Sequence, residues 1–321
     1  MSLLKFIDNE ILFETSDTGL GDTMLSIIGF IVLCETINAT PIIKFNNKKI
    51  VCEWGSNEYD INNYVFDLDF NFIHCDKNKT YHRKIMNQTS ITFSPLKLYN
   101  LLKHKHNINY IDFSNKYKII ASKIKPSKQI EEYIPNLNDV YGIHLRRTDK
   151  IKLKREIEHE NSIDEFNCII YYLINDIIEL LKNDNEAKLL IVSEEKEWIS
   201  EFKTMIQSKF EKDINFVNIL YPENYINEGF NVVLDMFCLS RCKKIYQGVK
   251  WTTFSSLSAL IGNVDIINYY YKLPEQESNF IYTWKSVLNI NGEIEYTEYE
   301  NIGNRLNDIQ IKYINTNNIL F

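Results

Sequence analysis

From Val140 onward the chain alternates short apolar runs with helix-length segments, and that alternation restricts its fold more than any other feature of the sequence. The run from Val140 to Leu145 is continuously apolar, the pattern of a strand covered on both faces of a parallel sheet. A helix over 163–182, a strand over 189–192, a helix over 198–209 and a strand over 215–220 follow. A helix over 232–241, a strand over 244–247, a helix over 254–261 and a strand over 264–269 complete the series. Strands and helices in strict alternation build a parallel sheet wound with helices on both faces. Ser162 followed by Glu165 makes a capping box that would start the first of these helices.

The first half is less regular. A strand over 11–13, a helix over 22–37 and a strand over 41–45 form one βαβ unit. The segment 122–138, with Pro126, Pro135 and several charges, then breaks the pattern before Val140. At 321 residues the chain accommodates two α/β domains of about 150 residues each. We therefore expect one domain over 1–137, a second over 138–275, and a tail over 276–321 that returns across both.

Composition removes several classes of function. A net charge of −7 argues against a general nucleic-acid binder, whose affinity rests on clustered Lys and Arg. Any anionic ligand must be held by a local basic site. The six cysteines, Cys34, Cys52, Cys75, Cys168, Cys238 and Cys242, form no CxxC pair and read as reduced thiols rather than a disulfide frame or zinc site. The N-terminus mixes Lys5, Asp8, Asn9 and Glu10 among its apolar residues and lacks the form of a signal peptide, so a cytoplasmic location is expected. The longest apolar stretch, 24–34, is interrupted by Ser26 and Gly29. It has about half the ~20 residues needed to span a bilayer, and no transmembrane segment is expected.

Two places carry candidate chemistry. Gly19, Gly21 and Asp22 stand in a turn between a strand and a helix, where glycines admit a ligand to the backbone and free helix N–H groups attract phosphate. The turn lacks the third glycine of GxGxxG and the lysine of a P-loop. The second place is Gly142-Ile143-His144-Leu145-Arg146-Arg147-Thr148-Asp149-Lys150, where an apolar strand ends in a dense group of charges. That is the end at which open α/β sheets bind ligands. Arginine forks grip a diphosphate bidentately and offset the charge that grows on it as a glycosidic bond breaks, with no need for a divalent metal. Asp67-Leu68-Asp69 has the DxD form of metal-dependent sugar transferases, but hard cations need more oxygen ligands than this segment offers, and no metal site is expected. His104 and His106 read as surface residues.

The run His144 to Lys150 resembles the hallmark of the α1,6-fucosyltransferases and, more loosely, of the α1,2- and protein O-fucosyltransferase superfamily. Asn161-Ser162-Ile163-Asp164-Glu165-Phe166 is similar to the segment after that hallmark. Val233-Leu234-Asp235-Met236-Phe237-Cys238-Leu239-Ser240 resembles the second motif of the α1,6 enzymes, and Thr253-Phe254-Ser255-Ser256 their third. The resemblance implies a GT-B type fold, two Rossmann-like domains facing across a cleft, and transfer of fucose from GDP-fucose with inversion and without a metal or other cofactor. Residue by residue, it implies that Arg146 and Arg147 hold the diphosphate and that His144 supports the nucleotide. Asp235, Ser255 and Ser256 would complete the donor pocket, with Gly19, Gly21 and Asp22 as the donor loop.

Glu194 and Glu195 fall where that family places acids near the guanine; without it they read as an ordinary helix start. Asp149 and Lys150 belong to the same charged group. An inverting transfer also needs a carboxylate to take the acceptor's proton. Glu156 and Glu158 both qualify, with Asp149 as the third choice, because the loop 151–160 is longer and more charged than the family's. Two alternatives stand beside this reading: a transferase for another GDP-sugar, and a non-catalytic nucleotide- or glycan-binding relative. The acceptor and the oligomeric state are not encoded in any pattern we can read.

Overall fold

The computed structural model of the chain describes residues 10–14, 19–44, 49–51, 58–60, 66–68, 73–74, 84–86, 107–146, 161–222, 228–248 and 252–268. The chain divides into two compact units, one of residues 1–131 with 226–233 and one of residues 132–225 with 234–321. Both are α/β with a parallel sheet, as the alternation of apolar runs predicts. The tail 276–321 lies outside the described residues.

In the first unit, β1 (Glu10–Glu14), α1 (Leu20–Ile37) and β2 (Thr40–Lys44) form the expected βαβ unit, with β1 and β2 parallel. β3 (Lys49–Val51) pairs with β4 (Glu58–Asp60), and β5 (Phe66–Leu68) is followed by β6 (Ile73–His74) and β7 (Lys84–Met86). The main sheet runs β6-β2-β1-β7, every pair parallel. α1 is buried from Leu20 to Cys34 apart from Asp22, and Phe30 stacks on Phe13 with ring centroids 5.0 Å apart. Burying side chains of this size contributes roughly 1.5–3 kcal/mol each.

The 18-residue helix α1 is long and apolar enough to cross a membrane, more than the stretch 24–34 suggests, but 78% of it is buried within the fold. α2 (Tyr110–Ser122) packs on α1, where the buried Tyr117 hydroxyl donates to the Leu25 carbonyl at 2.8 Å. Its N-cap is Asn109, whose side chain accepts from the Asp112 N–H at 2.9 Å.

The segment 122–138 is not a plain linker. It holds β8 (Ile124–Pro126), antiparallel to β5, and the short helix α3 (Lys128–Glu131). Pro126 is compatible with this because β8 is paired on one side within a two-stranded sheet. Asp67 and Leu68 of the DxD triplet thus lie in β5, opposite Lys125 and Ile124.

The second unit is doubly wound. β9 (Val140–Leu145), α4 (Asn161–Asn183), β10 (Lys188–Ser193), α5 (Lys196–Gln207), β11 (Asn215–Val217), α6 (Glu228–Ser240), β12 (Lys244–Gln247), α7 (Phe254–Gly262) and β13 (Asp265–Asn268) follow one another. The sheet order is β11-β10-β9-β12-β13, and every pair is parallel. Tyr141, Ile143 and Leu145 of β9 join Leu189, Ile191 and Tyr246 in a core closed by α4 and α5, including Phe202 and Ile177, both fully buried. The opposite face meets α6: a Cβ on Gly142 would lie 2.9 Å from Leu239 Cδ2 and 3.0 Å from Cys242 Sγ. Glycine there lets the helix approach the sheet closely. The described thiols Cys34, Cys238 and Cys242 are free and buried.

Some boundaries differ from the sequence reading. α4 begins at Asn161, so Ser162 lies inside the helix and not at its cap, in a first turn whose N–H groups need no intrahelical partner. α1 begins at Leu20, which draws Gly21 and Asp22 into the helix. β11 ends at Val217, and Leu220 is 79% exposed, because this edge strand pairs only with Lys188, Leu189 and Leu190.

Candidate functional site

β9 and β12 are neighbours in the sheet, yet the connections after them lead to opposite sides, β10 on one and β13 on the other. That reversal, at the carboxyl ends of the strands, is the general ligand site of open α/β sheets. β9 ends there in His144 and Leu145, followed by Arg146, and β12 ends in Gln247 beside His144, with the Gly248 N–H donating to the His144 carbonyl at 2.8 Å.

Side chains alternate along a strand, so with Ile143 and Leu145 facing α4 and α5, His144 faces the other side with Gly142. Its ring packs against Phe254 with centroids 5.1 Å apart. His144 is only 5% exposed, and its Nδ1 has no hydrogen-bond partner among the described residues. Burial, and then the Arg146 charge, pull its pKa from 6.5 to about 3, so the imidazole is neutral. A buried ring nitrogen without a partner is uncommon in folded proteins and marks a position for a ligand or ordered water.

Arg146 leaves the end of β9, and its Nε lies 3.9 Å from Glu194 Oε1 just past β10. Both side chains are about a quarter exposed, at 22% and 26%. Glu194 therefore faces an arginine, and Glu195 stands at the start of α5 with its N–H donating to Ser193 Oγ at 3.2 Å. From β12, Gln247 accepts at Oε1 from Ser255 Oγ at 3.0 Å, and Ser256 Oγ donates to the Thr252 carbonyl at 3.1 Å. Both serine hydroxyls are thus turned inward, and what Ser255 and Ser256 offer a ligand is their backbone. Thr253 makes no side-chain cap and no acidic residue occupies the first turn of α7; the Phe254 N–H donates to Thr252 Oγ1 at 3.3 Å, which leaves the next N–H groups, those of Ser255 and Ser256, to face an anion. The start of α1 differs: Gly19 is its N-cap with φ −57°, and Asp22 fills the first turn with a carboxylate that already matches the helix dipole.

Asp235 joins this region through α6. That helix connects β11 to β12, so it runs against the strands. Leu239 packs at Gly142; one helical turn back, about 6 Å, is Asp235, and two residues onward along β9, about 6.6 Å, is His144. Asp235 therefore lies at the level of His144, toward the carboxyl edge. It is 9% exposed, and the Tyr221 hydroxyl donates to its Oδ1 at 2.6 Å. Burial pushes its carboxyl up to about 7, against the lowering effect of that hydrogen bond.

The site so built brings together His144, Arg146, Glu194, Glu195, Asp235, Ser255 and Ser256 in the second unit. Gly19, Gly21 and Asp22 belong to the first. Arg147, Asp149, Lys150, Glu156 and Glu158 lie outside the described residues. Sequence reasoning passed over Tyr221 and Gln247, and it named Phe254 within the third motif without giving it a role. Gln247 had a signal, a polar residue ending a buried strand; Tyr221 had none, because nothing local ties it to a carboxyl 14 residues away.

The state of His144 has a measurable consequence. Its folded pKa is depressed, so the unfolded chain takes up the proton first, and stability present above pH 6.5 is lost as pH falls toward about 3. Asp235 has the opposite sign, its folded pKa being raised from 3.8 to about 7, so its contribution is lost as pH rises through that window. Comparing wild type with His144→Phe isolates the histidine. Urea unfolding at stepped pH is expected to show wild type losing up to ~1.4 kcal/mol per pH unit relative to the variant below 6.5. Parallel pH profiles would mean that His144 is not a buried neutral imidazole.

No family model and no curated sequence matches the chain. Among solved structures it is similar to the fucosyltransferase NodZ from Bradyrhizobium, 13% identical with a TM-score of 0.49 over 81% of this chain and 96% of that one. It is similar also to NodZ alpha-1,6-fucosyltransferase soaked with GDP-fucose, 15% identical with a TM-score of 0.48 over 81% and 95%. POFUT1 in complex with GDP-fucose is 9% identical, with a TM-score of 0.49 over 80% and 95%.

Proposed function

We propose that this chain is an inverting, metal-independent glycosyltransferase that moves fucose from GDP-fucose to a glycan hydroxyl. The observation that carries the reading is that His144, Leu145 and Arg146, the described part of the run His144 to Lys150, stand at the carboxyl end of β9 where the winding of the sheet reverses, with His144 packed on Phe254 at the start of α7. In this reading residues 138–275 bind the donor and residues 1–137 serve the acceptor. The diphosphate lies against the first turn of α7, held by the Arg146 and Arg147 guanidinium groups.

The acceptor oxygen attacks the anomeric carbon as its bond to the diphosphate breaks; GDP departs, and Glu156, Glu158 or Asp149 takes the acceptor's proton. The arginines offset the charge that develops on the leaving diphosphate, which is where fixed cations lower a barrier most. His144 and Asp235 line the nucleotide side.

A thermal-shift titration tests the donor assignment. GDP at about 100 times its Kd is expected to stabilise the fold by about 2.7 kcal/mol, and UDP at the same concentration to leave the Tm unchanged. Equal shifts would remove the guanine preference. In the same preparations, transfer from GDP-fucose should survive EDTA; loss of turnover restored by manganese would replace the arginine mechanism with a metal-assisted one.

A further inference from the structure

We propose that Tyr221 is a positioning residue for the nucleotide, its hydroxyl fixing Asp235 as an ionised hydrogen-bond acceptor at the carboxyl edge of the second sheet. The proposal rests on the nucleotide reading above. Tyr221 follows β11, Asp235 lies in the body of α6, and the 2.6 Å bond between them joins two elements that are separate in sequence.

A carboxylate buried to 9% exposure is costly unless its oxygens are satisfied, and a carboxylate has about four acceptor positions. Tyr221 fills one of them, on Oδ1. Asp235 stands at the level of His144 along the sheet, and the His144 Nδ1 is buried with no hydrogen-bond partner among the described residues. A buried carboxylate with acceptor positions beyond the one Tyr221 fills, at the same level of the sheet as an unpartnered imidazole nitrogen, suits a ligand that presents N–H or O–H donors, as a nucleoside does through its base and ribose.

Donation from Tyr221 decides what Asp235 presents. With the hydroxyl on Oδ1, the ionised form is favoured and Oδ2 accepts; protonated on Oδ2, the same group would turn a donor toward the ligand's donors. Burial acts the other way and brings the carboxyl to about 7, so its state changes within the ordinary range of pH. The titratable groups set against it among the described residues are Tyr221 and, one turn on in α6, Cys238. Burial raises both, so they remain neutral through that range.

The test is calorimetric titration of GDP into wild type, Tyr221→Phe and Asp235→Asn from about pH 5.5 to about pH 8.5, with melting curves for each. Wild-type affinity should fall as pH drops through about 7. Removing the hydroxyl should move that fall to higher pH by about half a unit or more and weaken GDP several-fold at pH 7, with affinity recovering near pH 8.5. Recovery at high pH is the outcome that a merely structural tyrosine would not produce. Asp235→Asn should bind weakly and keep only the pH dependence of GDP's own phosphate. A Tyr221→Phe profile that superimposes on wild type overturns the role of Tyr221 and leaves the nucleotide reading standing. A folded wild type that binds no GDP at any pH overturns both.

Discussion

Lysine in place of Arg146 or Arg147 is expected to lower turnover with GDP-fucose on the order of 100-fold, with the melting temperature nearly unchanged. The substitution keeps the charge and removes the planar fork. A lysine ammonium is a point charge that cannot hold two oxygens of one diphosphate in fixed geometry. Because the negative charge on the diphosphate is greatest as the sugar leaves, the loss should fall on kcat more than on KM. Stability should be spared for a reason visible at Arg146: it stands past the end of β9, 22% exposed, and its 3.9 Å pairing with Glu194 is of the partly exposed kind worth about 0–1 kcal/mol. Steady-state kinetics and melting curves of the two lysine variants check this. Near-normal turnover in both would reduce the arginine pair to a surface charge cluster and remove the main support for diphosphate binding here.

What could be read in the sequence, and what could not, follows from the range of the interactions involved. β9 and β12 match their expected limits because a continuous apolar run closed by charged or polar residues is a local signal of burial on both faces. The winding of the second unit follows from alternation alone. Chain direction and the right-handed crossover then leave few arrangements, so the position of His144 and Arg146 at the carboxyl edge of the sheet was legible too. The small strands β3 to β7 were not, since two or three residues are too short for a period to form. Nor was the inward turn of Ser255 and Ser256, which depends on Gln247 and Thr252 being within reach. The start of α1 was misplaced because Gly21 looks like a turn residue, although in a first helical turn it costs little. Tyr221 illustrates the limit: its meaning comes wholly from Asp235, and no spacing rule brings the two together.

Substituting Gly262 with alanine is expected to be among the most damaging single changes in the second unit, costing about 3 kcal/mol or more. An added Cβ would overlap the Ser240 carbonyl oxygen and lie 2.7 Å from its carbon, a backbone clash that no rotamer can relieve. Ser240 is not free to retreat. It ends α6, its hydroxyl donates to the Phe237 carbonyl at 2.8 Å, and the next residues are tied by bonds from the Arg241 N–H to Cys238 and from the Cys242 N–H to Leu239. On the other side α7 closes with Asn263 in the left-handed conformation at φ 50° and the Val264 N–H on the Ala259 carbonyl at 2.9 Å. Relief must therefore come from displacement of α7 as a body. The opposite end of that helix is the open N-terminus beside His144, so the displacement reaches the proposed phosphate position. At 2–4 °C per kcal/mol for a domain of this size, the Tm should fall by roughly 6–12 °C. The shift produced by GDP should shrink in whatever fraction still folds. Gly248→Ala is the comparison: its Cβ would meet the side-chain ends of Leu145 and Leu173 at 2.7 Å, groups that can turn aside, so a smaller loss is expected. If Gly262→Ala melts within about 2 °C of wild type, α7 is not seated on the end of α6 as described, and the placement of its N-terminus at the site loses its physical basis.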